Sequence, residues 1–199
     1  MKKIINNDAY FEISFVQFDG AAQHFLAIEF EECHFKECDF SESIFERCKF
    51  INCTFDQCNL SLVKVPYTRF FEIVFTGCKL VGVDWTRAYW PSFNIDSELQ
   101  FKQCILNDMS MFGLTLNYLQ LEECKVHDAD FRDGDFAHAS ITYCDLLNSL
   151  FMHTNLTGVD FTESQNFSID VLENRIAKAK FSRFEALSLL ESLDIELVD

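Results

Sequence analysis

The stretch that decides the fold is residues 30–60, FEECHFKECDFSESIFERCKFINCTFDQCNL. Phenylalanine returns every five residues from Phe30 to Phe55, and Leu60 closes the run. A cysteine lies two residues before most of these positions, as Cys33 lies before Phe35. A period of five matches neither the α-helix nor the straight strand, whose side chains repeat every 3.6 and two residues. The stretch therefore predicts a backbone that turns a corner once in every pentad.

The same period extends over most of the chain. The apolar fifth residue, here called the centre, recurs from Phe25 to Trp85 and again from Phe101 to Phe161, and every member of both runs is apolar. The residue two before each centre is usually small or apolar, and it shares an inward face with the centre as in a strand. Repeated corners of one sense close a coil, and stacked coils bury a continuous core.

The cysteines indicate how many pentads make one coil. All nine lie two residues before a centre, and cysteine pairs 20 residues apart outnumber pairs 15 or 25 apart. This favours four pentads per coil and about seven coils in all. The odd count, the absence of CxxC and the repeating position argue against disulfides and zinc. We expect the cysteines to be reduced, buried packing residues.

The chain resembles the pentapeptide-repeat family, whose pattern A(D/N)LxX is visible in HDADFRDGDF (127–136) and NLTGVDF (155–161). The resemblance implies an all-β fold, a right-handed quadrilateral β-helix in which the centre and the small residue face inward. It covers roughly residues 10–165. We therefore predict a β-helix over residues 1–165, with a register slip at 86–100, and a C-terminal cap and dimerisation tail over 166–199.

The tail departs from the five-residue period. Ser182 and Glu185 have the spacing of a capping box, which predicts an amphipathic α-helix over 183–193, and IELV (195–198) alternates like a short strand. The segment resembles the C-terminal tails of Qnr-type quinolone-resistance proteins and of the microcin B17 immunity protein. That resemblance implies a homodimer; a cap alone is the other interpretation. The predicted dimer residues are Phe184, Leu187, Leu190, Leu193, Ile195 and Leu197.

The register slip lies in WTRAYWPSFNIDSELQ (85–100), which holds both tryptophans. Two interpretations are open. In one, the segment is a bulge with Trp90 tucked against the coil wall. In the other, it projects as a loop that offers aromatic side chains to a partner, because exposed aromatics anchor interfaces. The loop residues would be Tyr89, Trp90, Pro91 and Phe93.

Composition excludes several function classes. The formal net charge is −16, which repels nucleic acid and anionic membranes and favours a protein partner with a basic surface. The start of the chain lacks a signal-peptide pattern and no apolar run is long enough to span a membrane, so we expect a cytoplasmic protein. The candidate acidic surface consists of Glu32, Glu37, Glu42, Glu72, Asp108, Asp128, Asp130, Asp133, Asp135 and Asp145.

No catalytic constellation is visible. The five histidines fall at outward or corner positions, whereas the cysteines point inward, and neither a GxGxxG motif nor a P-loop is present. We expect no enzyme activity and no cofactor. The family resemblance implies a DNA mimic that binds DNA gyrase or topoisomerase IV and protects it from quinolones or a gyrase-directed toxin. The alternative is a generic interaction scaffold with an unrelated partner. One continuous acidic face would favour the mimic.

Overall fold

The computed structural model describes residues 3–91, 99–193 and 195. Very short strands dominate it, and two 3₁₀-helices cover Trp85–Arg87 and Glu185–Leu193. The strands, in chain order, are β1 Ala9–Phe11, β2 Ser14–Val16, β3 His24–Leu26, β4 Glu29–Glu31, β5 His34–Lys36, β6 Ile44–Glu46, β7 Lys49–Ile51, β8 Thr54–Asp56, β9 Arg69–Phe71, β10 Ile73–Thr76, β11 Leu99–Lys102, β12 Gln120–Glu122, β13 Ser140–Thr142, β14 Asp160–Phe161 and β15 Lys180–Phe181.

The strands stack in parallel and form a solenoid with four sides. Side 1 holds β1, β4, β7 and β9, and side 2 holds the nine-stranded stack from β2 to β15. Side 3 is a column of single bridges that starts at Asp19↔Asp39, and side 4 starts with β3 and β6. Partners along a column are 20 residues apart, as in Phe35↔Phe55, so each coil has four pentads as the cysteine spacing predicts.

Parallel pairing continues beyond residue 165, where the coils were expected to end. Asn155 bridges to Arg175, and Phe161 pairs with Phe181. Nine strands stacked on side 2 give eight steps between the first and the last strand. At ~4.8 Å per step the rod is about 38 Å long, one coil longer than the sequence predicts.

The corner residues adopt a backbone conformation that the five-residue pattern does not predict. The residue two after almost every centre has a positive φ, the exception among the described residues being Arg87 in the first 3₁₀-helix, and most of these corner residues are not glycine, for example Glu37 (φ 53°) and Leu62 (φ 59°). A left-handed residue at this place closes a tight β-turn. It costs a non-glycine residue about 1–2 kcal/mol. The corners are held because each corner N–H donates to the next coil, as from Glu37 to the Asp56 carbonyl at 2.8 Å.

Stacked rings fill the core of the N-terminal half. On side 2 the rings of Phe35 and Phe55 have centroids 4.6 Å apart and planes 9° apart, and the stack continues through Phe75 to Phe101. Neighbouring ladders meet edge-on, as Phe35 meets Phe30 at 5.3 Å. Both arrangements are favourable for aromatic pairs and add about 0.5–1.5 kcal/mol each beyond burial.

The residue two before each centre connects neighbouring coils. The Thr68 hydroxyl donates to the Phe45 carbonyl (2.7 Å) and accepts from the backbone N–H of Cys48 (3.2 Å). The Cys58 thiol makes the corresponding pair of contacts: it donates to the Phe35 carbonyl (3.4 Å) and accepts from the Cys38 N–H (3.4 Å). Where the equivalent residue of the next coil is valine, it offers no acceptor. The backbone N–H then donates within its own turn, as from Ser43 to the Phe40 carbonyl (3.1 Å). All nine cysteines are buried in the core, as their position in the pentad predicts.

The slip between the two runs is an insertion of six residues. Phe75 pairs with Phe101, 26 residues later instead of 20. Trp90 still occupies a centre on side 1, because the Tyr89 N–H donates to the Thr68 carbonyl in the regular pattern (2.8 Å). The six extra residues therefore fall between Pro91 and Leu99 in the sequence, outside the described residues.

The C-terminal helix caps the last coil, but it begins later than the sequence predicts and is a 3₁₀-helix, not an α-helix. The Ser182 hydroxyl does not cap it. Instead it donates to the Glu163 carboxylate and accepts from the Glu163 N–H, both at 2.9 Å, so it serves the preceding coil. Leu189 is buried against the core, and the Ser192 hydroxyl accepts from the Val171 N–H at 3.3 Å. The strand predicted at 195–198 lies, beyond Ile195, outside the described residues.

Candidate protein-interaction surface

The predicted acidic residues lie on every side of the rod. Glu32 and Glu72 are corner residues after side 1, Glu37 follows side 2, and Glu42 follows side 3. The corner column after side 3 also holds Asp108 and Asp128 in adjacent coils, but Leu62 and Gly82 separate them from Glu42.

The remaining four predicted acids, Asp130, Asp133, Asp135 and Asp145, follow one another within a single coil. They are distributed around the circumference of the rod and do not form a column along its axis. The structure thus shows acidic clusters around the circumference and no unbroken acidic column among the described residues, so the continuous face that would favour the mimic is not found there.

Three of the ten predicted acids, here called compensated, have an arginine or histidine side chain within ion-pair distance. Arg132 donates two hydrogen bonds to Asp130, at 2.9 and 2.8 Å, and these bonds lower the pKa of Asp130. Burial opposes ionisation of Asp145, but hydrogen bonds from Asn166 (2.7 Å) and His127 (2.8 Å) outweigh it, so its pKa is lowered as well.

Asp133 is the third compensated acid and lies 3.5 Å from His153. The other seven have no cation within ion-pair distance among the described residues: Glu32, Glu37, Glu42, Glu72, Asp108, Asp128 and Asp135.

The histidines contact outward-facing side chains of neighbouring coils. His24 lies 3.0 Å from Glu46, and His34 lies 2.8 Å from the Thr54 hydroxyl. His138 stacks on a tyrosine ring with centroids 5.4 Å apart. The cysteine thiols are inside the coil wall, so thiol and imidazole lie on opposite sides of the backbone. Within the described ranges, no cluster of histidine, cysteine and carboxylate side chains is arranged to hold a metal ion.

The segment before the insertion agrees in part with the bulge interpretation and in part with the projecting-loop interpretation. Trp90 is partly buried: its ring stacks on Phe70 (6.5 Å) and its indole N–H donates to the Trp85 carbonyl (2.8 Å). Trp90 thus packs on the coil wall, as in the bulge interpretation. Tyr89 and Pro91 are exposed, and Phe93 lies outside the described residues.

The tail presents apolar side chains that the last coil does not cover. Phe184 is 86% exposed, and Leu187, Leu193 and Ile195 are exposed as well. Leu190 is half-buried, and the inward residue is Leu189, which the helical spacing did not single out. Leu197 lies outside the described residues.

Sequence reasoning missed a basic and aromatic area on side 1. Lys49 and Arg69 are neighbours along one column and Tyr89 follows, with the Arg69 guanidinium 4.2 Å from the Tyr89 ring centre. The sequence contains the corresponding pattern, because the basic residues Lys49 and Arg69 lie 20 positions apart and each immediately precedes a centre. It was hidden because the chain as a whole is acidic.

These features define a β-solenoid whose surfaces, and not an enclosed pocket, are available for chemistry. The family model for the pentapeptide repeat region matches residues 28–97 and 95–181, and the chain belongs to the pentapeptide-repeat family. No helix in the described part of the chain is long and apolar enough to cross a membrane.

Solved structures of similar fold include the plasmid-mediated fluoroquinolone resistance protein QnrB1. One trypsin-treated variant of it aligns at 19% identity over 96% of this chain and 100% of that one, with a TM-score of 0.63. A second trypsin-treated variant gives 18% identity, 96% and 99% coverage and a TM-score of 0.61. The full-length form gives 17% identity, 94% and 100% coverage and a TM-score of 0.51. No curated protein matches the sequence significantly.

Proposed function

We propose that this protein is a non-enzymatic acidic rod that binds DNA gyrase or topoisomerase IV as a DNA mimic and protects it from quinolones or a gyrase-directed toxin. The observation that carries the proposal is the distribution of unpaired acids around a rigid rod of net charge −16. The similarity in fold to a fluoroquinolone resistance protein supports it. The solenoid supplies rigidity, because every coil is hydrogen-bonded to both neighbours.

Charge on all sides suits a channel better than it suits a flat surface. A DNA duplex carries phosphate around its whole circumference, and a protein channel that encloses it is basic on several walls. Glu37, Glu42 and Glu72 point from three different corners of the rod, so several walls could each meet a carboxylate. Acids that already bind cations contribute less to the outer potential, since the paired charge cancels much of the field.

The tail completes the proposal as a homodimer contact. Phe184, Leu187 and Leu193 expose apolar surface next to the cap, and exposed apolar patches commonly mark interfaces. A dimer joined end to end would double the length of the charged rod. Leu187→Glu is expected to yield a monomer in light scattering. A wild-type chain that is monomeric at micromolar concentration would leave the tail as a cap only.

The decisive experiment is a supercoiling assay of gyrase and a decatenation assay of topoisomerase IV with ciprofloxacin, with and without the protein. We expect protection, competition with linear duplex DNA, and weaker binding as salt rises from about 50 to about 200 mM. Asp108→Asn/Asp128→Asn removes unpaired charge. Glu29→Gln/Asp56→Asn removes the same charge from acids that bind lysines at 2.8 and 3.8 Å, and is the matched control.

The first variant should lose more affinity than the control. If neither topoisomerase binds the wild-type protein at low salt, the mimic proposal fails. The generic scaffold then remains, an alternative favoured by the interruptions in each acidic column.

A further inference from the structure

We infer that an open groove on side 1 is a docking site for an acidic, apolar peptide segment of a partner protein. Three successive coils build the groove, and its volume is about 520 Å³. It uses neither the acidic surface nor the tail, so it stands independently of topoisomerase binding. One edge is a polar column of Lys49, Arg69 and Tyr89, and the other is an apolar column of Ile51, Phe71 and Pro91.

The floor of the groove is the backbone of the side 1 strands. The two edges flank the side 1 centres, one residue before and one residue after each, so they stand about 6.6 Å apart along each strand. The centres Phe50 and Phe70 point inward and are buried, so the apolar surface of the groove comes from its edge. Phe71 is 43% exposed, and an apolar side chain placed between Ile51 and Phe71 would remove part of that ring from water.

The polar edge carries positive charge that the chain leaves available. Lys49 binds Glu29 at 2.8 Å. No carboxylate among the described residues lies within ion-pair distance of Arg69, which stacks over Tyr89 instead. A stacked guanidinium is weakly hydrated and keeps its N–H fork free for a carboxylate, which it can bind through two parallel hydrogen bonds. A free arginine in a chain of charge −16 is thus a specific anchor for an anion.

The geometry favours a peptide over other anions. Extended polyanions such as duplex DNA are repelled by the overall charge. Small-molecule sites bury about 70–90% of their ligand, which a groove lined from one side of the rod cannot do. The groove runs along the rod axis across three coils, so an extended chain can place a carboxylate on Arg69 and an apolar side chain on Phe71 in succession.

The test is fluorescence anisotropy with the full chain and a labelled peptide, Asp-Phe-Glu-Leu-Asp, at about 50 mM salt. Two control peptides separate the contributions: Asp-Ser-Glu-Ser-Asp keeps the charge, and Lys-Phe-Lys-Leu-Lys keeps the apolar residues. We expect saturable binding of the first peptide and at least about tenfold weaker binding of both controls. Arg69→Gln and Phe71→Ser should each weaken binding about tenfold or more. Lys102→Gln, a side 2 lysine 3.6 Å from Glu122, should leave it unchanged.

Several results would overturn the inference. These are no saturation below about 1 mM peptide, equal binding of the serine control, tighter binding of an oligonucleotide than of the peptide, or equal effects of Arg69→Gln and Lys102→Gln. Arg69 is exposed, so its variant should fold even if the Phe71 variant does not, and circular dichroism checks this. Failure here leaves the topoisomerase assay unaffected, because that assay depends on the acidic corners.

Discussion

Alkaline pH is expected to destabilise the solenoid through its buried thiols, and Cys48 allows the magnitude to be worked out. Burial raises the pKa of the Cys48 thiol from its ordinary value of 9.0 to about 11. A group whose pKa is higher in the folded state stabilises that state fully below the unfolded pKa, and the stabilisation is lost as pH rises toward the folded pKa. For Cys48 the loss is negligible at pH 8 and on the order of 1 kcal/mol at pH 10.

The other thiols do not all act in the same direction. The pKa values of Cys78 and Cys124 are raised by hydrogen bonding with the Cys104 thiol and by burial, whereas those of Cys104 and Cys144 are lowered by hydrogen bonding with the Cys124 thiol. The Cys48 contribution is therefore measured as the difference between the wild-type chain and a Cys48 variant. It corresponds to a shift of roughly 0.3–1 M in the urea midpoint. Measurements stop at pH 10 because lysine and tyrosine ionise increasingly above it.

The matched variant is Cys48→Thr. Thr68 occupies the equivalent position in the next coil, and its hydroxyl donates to the Phe45 carbonyl as the Cys48 thiol donates to the Phe25 carbonyl, so threonine fits the site. Threonine does not ionise in this range. The difference in unfolding free energy between pH 8 and pH 10 should be smaller in the variant by on the order of 1 kcal/mol. If wild type and variant show the same pH dependence, burial does not hold the Cys48 thiol in its neutral form, and the reasoning is refuted.

Three further predictions concern the core and the corners. Phe75 stacks between Phe55 and Phe101 at 4.9 and 5.0 Å, so Phe75→Ala should cost about 3–5 kcal/mol in urea unfolding, and Phe75→Leu clearly less; equal costs would contradict the ladder. Gly113 has φ +67° and open space around an added Cβ, so Gly113→Ala should lower the free energy of unfolding by about 1 kcal/mol. Ala27 has φ 50°, so Ala27→Gly should raise the free energy of unfolding. Changes of the opposite sign would exclude strain at the corners. A thiol reagent should label few of the nine cysteines in native protein and all nine in urea; rapid native labelling of most of them would contradict their burial.

The parts of the site that could be predicted are those that follow the pentad rule. Each acidic residue could be placed at an outward or corner position from its distance to a centre, and Leu187 and Leu193 could be recognised as exposed apolar residues of a tail. Their partners could not be predicted. Whether Asp130 is compensated by Arg132, or Asp128 is left without a cation, depends on side-chain directions at a corner that the repeat does not encode.

The amino-acid sequence by itself determined the five-residue period, the four-sided coil and the inward position of the cysteines, because these follow from a local rule that every pentad repeats. Tertiary structure alone decided that the insertion has six residues and leaves Trp90 packed against the core, that Ser182 serves the coil of Glu163, and that Lys49 and Arg69 meet beside Phe71. The physical reason is the stacking of coils. Residues 20 or 26 positions apart become neighbours about 4.8 Å apart, so surfaces and caps are assembled from contacts between coils that no single stretch of the chain contains.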